Sequence, residues 1–147
     1  MTATIDQTMT RLQSHLESVR PGEPFTISDA ADVGDGCWQG DLGIEIVAAV
    51  PADYVQIKRP RTADRQLVPG NTEGSRHCLD SLRGVTIFRP AKWDAESLQG
   101  PCLVLTQART ITHPKHGDVT IPAGRTVLCR YQREFDAEQR RERRVRD

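Results

Sequence analysis

The sequence predicts a small, mainly β domain: a barrel or sandwich of about seven short strands with an N-terminal amphipathic helix and a charged C-terminal tail. Short runs that alternate apolar and polar residues recur along the chain, which is typical of half-buried strands. Glycine and proline lie between these runs, where turns are needed. There is no strand–helix–strand rhythm and no glycine-rich phosphate-binding motif, which disfavours a doubly wound or P-loop fold.

Length and composition favour one domain with a modest core. A chain of 147 residues buries roughly 70% of its unfolded surface, so it needs neither a disulfide nor a metal to fold. Hydrophobic residues make up 37% of the chain and aromatic residues 5%, so Val, Ile and Leu must supply most of the core. We predict a helix over residues 1–20, a β domain over 21–135 and an Arg-rich tail over 136–147.

The first segment has the apolar spacing of a helix. Thr4 followed by Gln7 resembles a capping box, and Pro21 ends the segment. We expect its apolar stripe to pack on the domain itself, or to bind a partner protein or a second copy of the chain. The stripe repeats at intervals of four and three positions and consists of Ile5, Met9, Leu12, Leu16 and Val19.

About seven runs after this helix are predicted strands. Residues 21–41 are rich in Pro, Gly and Asp and are expected to be irregular. Residues 59–76 form a long polar loop, a type that usually binds, covers a site or is disordered. The tail is expected to be a frayed helix or disordered. The strand runs are LGIEIVAAV (42–50), DYVQIK (53–58), VTIF (85–88), PCLVLT (101–106), ARTIT (108–112), DVTI (118–121) and RTVLCRYQ (125–132).

Charge and cysteine content limit the partners and the compartment. The formal net charge is zero, which disfavours nucleic acid as a partner, although a local basic patch remains compatible with it. The start of the chain has no signal-peptide core, and no apolar run approaches the ~20 residues of a membrane span. The four cysteines form no CxxC pair. We therefore expect a cytoplasmic protein with reduced thiols and no membrane partner.

Four polar blocks adjoin predicted strands. Loops at the strand ends of a compact β domain gather at a rim and often bind ligands, so we expect these blocks to converge. They are WQGD (38–41), TEGSRHC (72–78), HPKHGD (113–118) and YQRE (131–134).

HPKHGD is predicted first as a hairpin loop, because Pro114 and Gly117 favour a tight reversal between two strand runs. His113 and His116 offer two zinc-type ligands, but their spacing matches no zinc motif, so we expect no metal. If the loop has a chemical role, His116 is the participant and Asp118 fixes its tautomer. His113 is then a structural residue.

The candidate catalytic residues are His77, His116 and Asp118, because imidazoles titrate near neutral pH and a carboxylate can orient them. Arg76 can hold a carboxylate or phosphate through two hydrogen bonds, or it can pair with an acidic residue of another block. The candidate ligand-binding residues are Gln39, Asp41, Arg76, Arg133 and Glu134.

The four blocks, in this order, resemble those of a group of short hypothetical bacterial proteins. The resemblance covers roughly residues 37–136 and leaves out the N-terminal helix and the Arg-rich tail. It implies a bacterial, cytoplasmic setting and no known activity, ligand or fold.

The primary functional hypothesis is a non-enzymatic binding or adaptor module whose polar loop rim holds a partner protein or an anionic ligand. An alternative is a small His-dependent hydrolase or transferase, with or without a metal, in which His77, His113 and His116 perform acid–base chemistry. A third hypothesis is a structural subunit of a larger bacterial assembly, contacted through the N-terminal helix. No motif indicates a cofactor.

Overall fold

The computed structural model describes residues 23–92, 97–136 and 141–144, with only the backbone described for 133–136 and 141–144. Within these ranges the chain forms twelve strands and two short 3-10 helices, Thr62–Arg65 and Glu73–Ser75. The strands are β1 (Phe25–Thr26), β2 (Gly36–Gln39), β3 (Leu42–Ile46), β4 (Tyr54–Gln56), β5 (Cys78–Leu79), β6 (Val85–Pro90), β7 (Gln99–Leu105), β8 (Arg109–Thr112), β9 (Val119–Ile121), β10 (Thr126–Tyr131), β11 (Arg133–Asp136) and β12 (Arg141–Arg144).

The larger sheet has six strands in the order β2-β3-β10-β7-β6-β4, and all neighbours are antiparallel. β10 lies between β3 and β7, where Val127 is opposite both Ile46 and Leu103. The β-branched and leucine residues of these strands favour the pleated conformation and place one apolar row on the inner face. Gln39 is opposite Leu42, so residues 40–41 form a two-residue hairpin turn.

The smaller sheet has four strands in the order β1-β9-β8-β5, with β1 parallel to β9 and the other pairs antiparallel. β8 and β9 enclose residues 113–118, so the prediction that HPKHGD is a hairpin loop is confirmed. Cys78 at the start of β5 is opposite Thr112 at the end of β8. The residues before β5 and the 113–118 loop therefore lie at the same end of the sheet.

The two sheets share one buried core. Because side chains alternate between the faces of a strand, the opposite face of the larger sheet has a second, smaller cluster of Tyr54, Cys102 and Leu128. The shared core includes Ile27, Leu79, Ile111, Val119 and Ile121 from the side of the smaller sheet, and Ile44, Ile46, Ile87, Leu103, Leu105, Val127 and Cys129 from the larger sheet.

The predicted barrel or sandwich of about seven strands with an N-terminal helix is wrong as stated. Both sheets are open, with edge strands β2 and β4 in one and β1 and β5 in the other, so the described residues form no closed barrel. Alternation of apolar residues predicts strands, but register and tilt decide whether the outer strands of a sheet pair. Residues 21–41, expected to be irregular, also contain β1 and β2.

The predicted helix over residues 1–20 lies outside the described residues. The longest helix in the described part of the chain is the four-residue Thr62–Arg65, and nothing in the described residues supports the predicted N-terminal amphipathic helix. Near the C-terminus β12 pairs antiparallel with β11, where the sequence predicts a frayed helix or disorder. Strand pairing there outweighs the weak β preference of charged residues. No helix among the described residues is long and apolar enough to cross a membrane.

We predict that Gly117→Ala weakens the attachment of β1. A Cβ at Gly117 would overlap the backbone carbonyl group of Glu23, and overpacking of this kind costs about 1–3 kcal/mol. The amides of Phe25 and Ile27 donate to the carbonyls of Asp118 and Thr120, so hydrogen exchange at both amides should accelerate. NMR-detected exchange measures this change.

Gly124→Ala is the control, because a Cβ there would meet nothing within 4 Å. It introduces strain at a positive φ but should leave the exchange of the Phe25 and Ile27 amides unchanged. Equal exchange rates in wild type and Gly117→Ala would contradict the packing of β1 on this loop.

Candidate functional site

Three loop segments meet where the two sheets end: residues 38–41, 72–77 and 113–118. The fourth predicted block joins them through its backbone, since the amide of Gln132 donates to the carbonyl of Asp41 over 3.2 Å. The predicted convergence of the polar blocks is therefore seen for these segments. We call the side chains of Gln39, Asp41, His77, His113 and His116 the histidine cluster.

Gln39 is the central connector of the histidine cluster. Its Nε2 donates to the carbonyl oxygens of Ile111 and Gly117, each at 2.9 Å. Because both amide hydrogens are used, its Oε1 must accept, and the Nδ1 of His77 lies 2.8 Å from it. Gln39 is 2% exposed and His77 is 0% exposed. A buried side chain of the larger sheet thus ties together the β8–β9 loop and the segment before β5.

The second ring nitrogen of His77 faces Asp41. The Nε2 of His77 lies 3.0 Å from Oδ1 of Asp41, whose side chain is 13% exposed. Both nitrogens of His77 therefore face acceptor oxygens, and both carry a proton when these bonds form. The geometry is that of a histidine–carboxylate pair that is closed off from solvent on the imidazole side. Such a pair is costly to break, because the buried ring would lose a hydrogen-bond partner that water cannot replace.

His113 organises the loop that contains it. Its Nε2 donates to the carbonyl of Gly74 over 3.1 Å, and its Nδ1 accepts from the amides of Lys115 and His116 at 3.1 and 3.3 Å. This pattern fits a neutral ring with the proton on Nε2. Burial lowers the pKa of His113, and the neighbouring His77 and His116 act in the same direction, while the bond to Gly74 opposes them.

The three imidazole rings pack in a row, with adjacent rings tilted by 35–40°. The ring centroids of His77 and His113 are 4.3 Å apart, and those of His113 and His116 are 4.6 Å apart. The ring of His116 lies on Gly40, where an added Cβ would be 2.5 Å from its Nε2. Gly40 also has a φ of +58° in the hairpin turn, which favours glycine. Turn geometry and ring packing therefore both require glycine at this position.

The structure brings together four of the predicted site residues: Gln39, Asp41, His77 and His116. Asp118 is not one of them. Its carboxylate is exposed and makes no hydrogen bond or ion pair with a described residue, although its backbone carbonyl accepts from Phe25. The carboxylate of the cluster is Asp41, and it contacts His77. The predicted role of Asp118 in fixing the tautomer of His116 is therefore wrong.

One further predicted residue, Arg76, lies outside the cluster. Arg76 is exposed at the rim, and the side chains of Arg133 and Glu134 in β11 are not among those described. Sequence reasoning missed the structural role of Gln39, which it assigned to a ligand. One signal was available, because Gln39 is two positions after Cys37 and so shares its inward face, where a polar side chain needs internal partners.

A shallow groove of about 650 Å³ adjoins the cluster. Its walls come from the segment before β5 and from the β8–β9 loop. No group of three or more His, Cys, Asp or Glu side chains in the described part of the chain has an arrangement that could hold a metal ion. The groove is lined by Asn71, Glu73, Arg76, Cys78, Thr112, His113 and Pro114.

We predict that Gln39→Leu strongly destabilises the protein. The substitution leaves the carbonyls of Ile111 and Gly117 and the Nδ1–H of His77 without their partner, and each stranded buried group costs about 1–3 kcal/mol. Urea denaturation measures the loss. Gln56→Leu is the control, because Gln56 is an exposed glutamine in the edge strand β4. Similar unfolding midpoints for the two variants would contradict the connecting role of Gln39.

We also predict that His113 makes the fold sensitive to acid. Its pKa is lowered in the folded state, so the unfolded chain binds the proton more readily. The contribution of the neutral His113 ring to the free energy of unfolding is fully present above about pH 6.5. It is lost as the pH falls towards the folded-state pKa. His113→Asn keeps an acceptor for the amides of Lys115 and His116 but does not titrate. Its unfolding free energy should depend less steeply on pH below about pH 6.5, which denaturation at a series of pH values measures; an unchanged slope would exclude this role.

Comparison with known proteins identifies the family of the chain but assigns it no activity. The profile of a family described as "Domain of unknown function (DUF8820)" matches residues 38–131, which are more than half of the chain and contain the whole histidine cluster. No curated protein and no solved structure matches the chain. The chain therefore belongs to the family described as Domain of unknown function (DUF8820).

Proposed function

We propose that the protein is a non-enzymatic binding module that holds an anionic group of a partner, a carboxylate or a phosphate, in the groove beside Arg76. The position of Arg76 is the observation behind this proposal. Its side chain is exposed, whereas its neighbours Ser75 and His77 are 6% and 0% exposed. A cationic side chain is thus presented from a backbone that is anchored on both sides.

The local bonds support a preorganised arginine. The amide of Arg76 donates to the carbonyl of Glu73 over 3.1 Å, and the hydroxyls of Thr72 and Ser75 are 2.9 Å apart. The guanidinium makes no hydrogen bond or ion pair with a described residue. Its planar donors suit a carboxylate or phosphate, and the fixed backbone reduces the ordering cost of binding.

The charges of the groove also favour an anion. Of the side chains that line it, Glu73 and Arg76 are the charged ones, because the lowered pKa of His113 keeps its imidazole neutral at pH 7. Glu73 has a partner in Lys115, at 3.6 Å. Arg76 is therefore the lining charge that is not neutralised by a described side chain, and its field attracts negative groups.

His77 and His113 support a scaffold role rather than acid–base catalysis. A general acid or base must reach the proton that it transfers. His77 is fully buried with both ring nitrogens bonded, and both nitrogens of His113 are bonded within its own surroundings. The ring nitrogens of His77 and His113 cannot exchange a proton with a substrate without losing the bonds that hold the loops together.

The proposed setting is a bacterial cytoplasm. All four cysteines are free, which supports a reducing compartment. Burial raises the pKa of Cys37 to about 12 and that of Cys102 to about 11, so these thiols are protonated and unreactive at neutral pH. They serve as small core residues.

Fluorescence anisotropy tests the proposed function with a labelled Glu-rich peptide, a Lys-rich peptide of equal length, and inorganic phosphate as competitor. The acidic peptide should bind, phosphate should displace it, and the basic peptide should not bind. Arg76→Gln should weaken binding of the acidic peptide about tenfold or more, because a hydrogen bond to a charged group contributes about 1.5–3 kcal/mol.

Arg83→Gln is the matched control, since Arg83 is exposed and lies outside the groove. It should change the affinity little. Equal losses in the two variants would indicate attraction to the overall charge and contradict a site at Arg76. Failure of the acidic peptide to bind would contradict the proposal directly.

A further inference from the structure

We propose a second binding site, separate from the Arg76 groove, that takes a small free acid with an apolar body and one carboxylate, in a cleft beside Arg89. The cleft has a volume of about 330 Å³. This is within the usual size range of small-molecule sites, roughly 300–1,000 Å³. It is lined by Ala63, Gln66, Leu67, Val68, Pro69, Gly70, Arg89, Pro101 and Tyr131.

The cleft forms where the inner face of the larger sheet extends past its apolar core. Arg89 is two positions after the buried Ile87 on β6, so it shares the inward face. Pro101 is two positions before the buried Leu103 on β7, and Tyr131 is two positions after the buried Cys129 on β10, so both share that face. The inner face therefore ends in one proline, one tyrosine and one arginine, instead of continuing as aliphatic residues.

The opposite wall is a loop held in a defined shape. Nε2 of Gln66 donates to the carbonyls of Val68 and Gly70 at 2.8 and 2.9 Å. The hydroxyl of Tyr131 donates to the carbonyl of Leu67 over 2.8 Å, and the Leu67 amide donates to the carbonyl of His77 over 2.8 Å. These bonds keep the cleft open as a preformed space rather than a collapsed contact.

Arg89 gives the cleft its chemical selectivity. The side chain of Arg89 is 41% exposed, and its guanidinium has one contact to a described carboxylate, Oδ1 of Asp64 at 3.3 Å. The other oxygen of Asp64 is bonded to the amide of Arg61 at 2.6 Å, so Asp64 does not pair with Arg89 through both oxygens. A ligand carboxylate can supply that bidentate pairing, while the Leu, Val and Pro walls bury its apolar body.

Protein NMR tests the site with two matched probes, 4-phenylbutyrate and 4-phenylbutanol. At millimolar concentration the acid should give saturable shifts of the Leu67, Val68 and Tyr131 amide signals, and the alcohol should bind several-fold more weakly. Arg89→Gln should weaken binding of the acid about tenfold or more. The Arg83→Gln variant should bind the acid as wild type does, because Arg83 is exposed and does not line the cleft.

Asp64→Asn separates loss of binding from loss of folding. It removes the internal carboxylate that competes for Arg89 and keeps an oxygen for the Arg61 amide, so the acid should bind several-fold more tightly. Absence of saturable shifts at these residues, equal binding of acid and alcohol, or unchanged affinity in Arg89→Gln would each overturn the proposal. Arg76→Gln should leave this affinity unchanged, so failure here is distinguishable from failure of the proposed function.

Discussion

The fold of the loop rim depends on one chain of hydrogen bonds, from the carbonyls of Ile111 and Gly117 through Gln39 and His77 to Asp41. The chain connects the larger sheet, the β8–β9 loop and the segment before β5. Apolar contacts between the sheets are non-directional, so they hold the sheets together without fixing how these loops face each other. Buried polar groups with complete bonding do fix it, because any other arrangement strands a donor or an acceptor.

His77 links this network to both proposed sites. Its side chain belongs to the buried network, its backbone carbonyl accepts from the Leu67 amide in the wall of the Arg89 cleft, and the preceding residue is Arg76. A change in the bonding of the imidazole would therefore move the backbone of both surfaces. The two sites are distinct in chemistry, one an open cationic groove and the other an apolar cleft with an arginine at its mouth, but they share a support.

Much of the strand content could be predicted from the sequence, because the signals that predict a strand lie within a few neighbouring residues. Strand alternation is visible within a few residues, as is the turn chemistry that makes HPKHGD a loop. Sheet order is not local, because β10 pairs on one side with β3, which is far from it in the sequence. The shortest strands, such as β1 and β5, have two residues each, which is too few to show a period.

Local sequence also does not show which of two Gly-Asp pairs supplies the carboxylate of the histidine cluster. Gly40-Asp41 and Gly117-Asp118 both precede strands, and only the first supplies the carboxylate of the histidine cluster. Val119 and Ile121 are inward residues of β9, so alternation directs Asp118 outward. Asp41 belongs to the two-residue hairpin turn, where alternation makes no prediction. Its contact with His77 arises only when the sheets pack.

The cluster contains three neighbouring imidazoles, yet Arg76 is the lining cation of the groove that no described side chain neutralises. The carboxylate of Asp41 lies beside the buried His77 ring, 3.0 Å from its Nε2. The His113 ring centroid is 4.3 Å from that of His77, and protonation of His113 at Nδ1 would remove the acceptor used by the Lys115 and His116 amides. Burial and these contacts therefore favour a neutral His113. With Glu73 paired to Lys115, the groove has Arg76 as its unbalanced lining charge, and the preference for an anion follows from the internal charge balance of the loops.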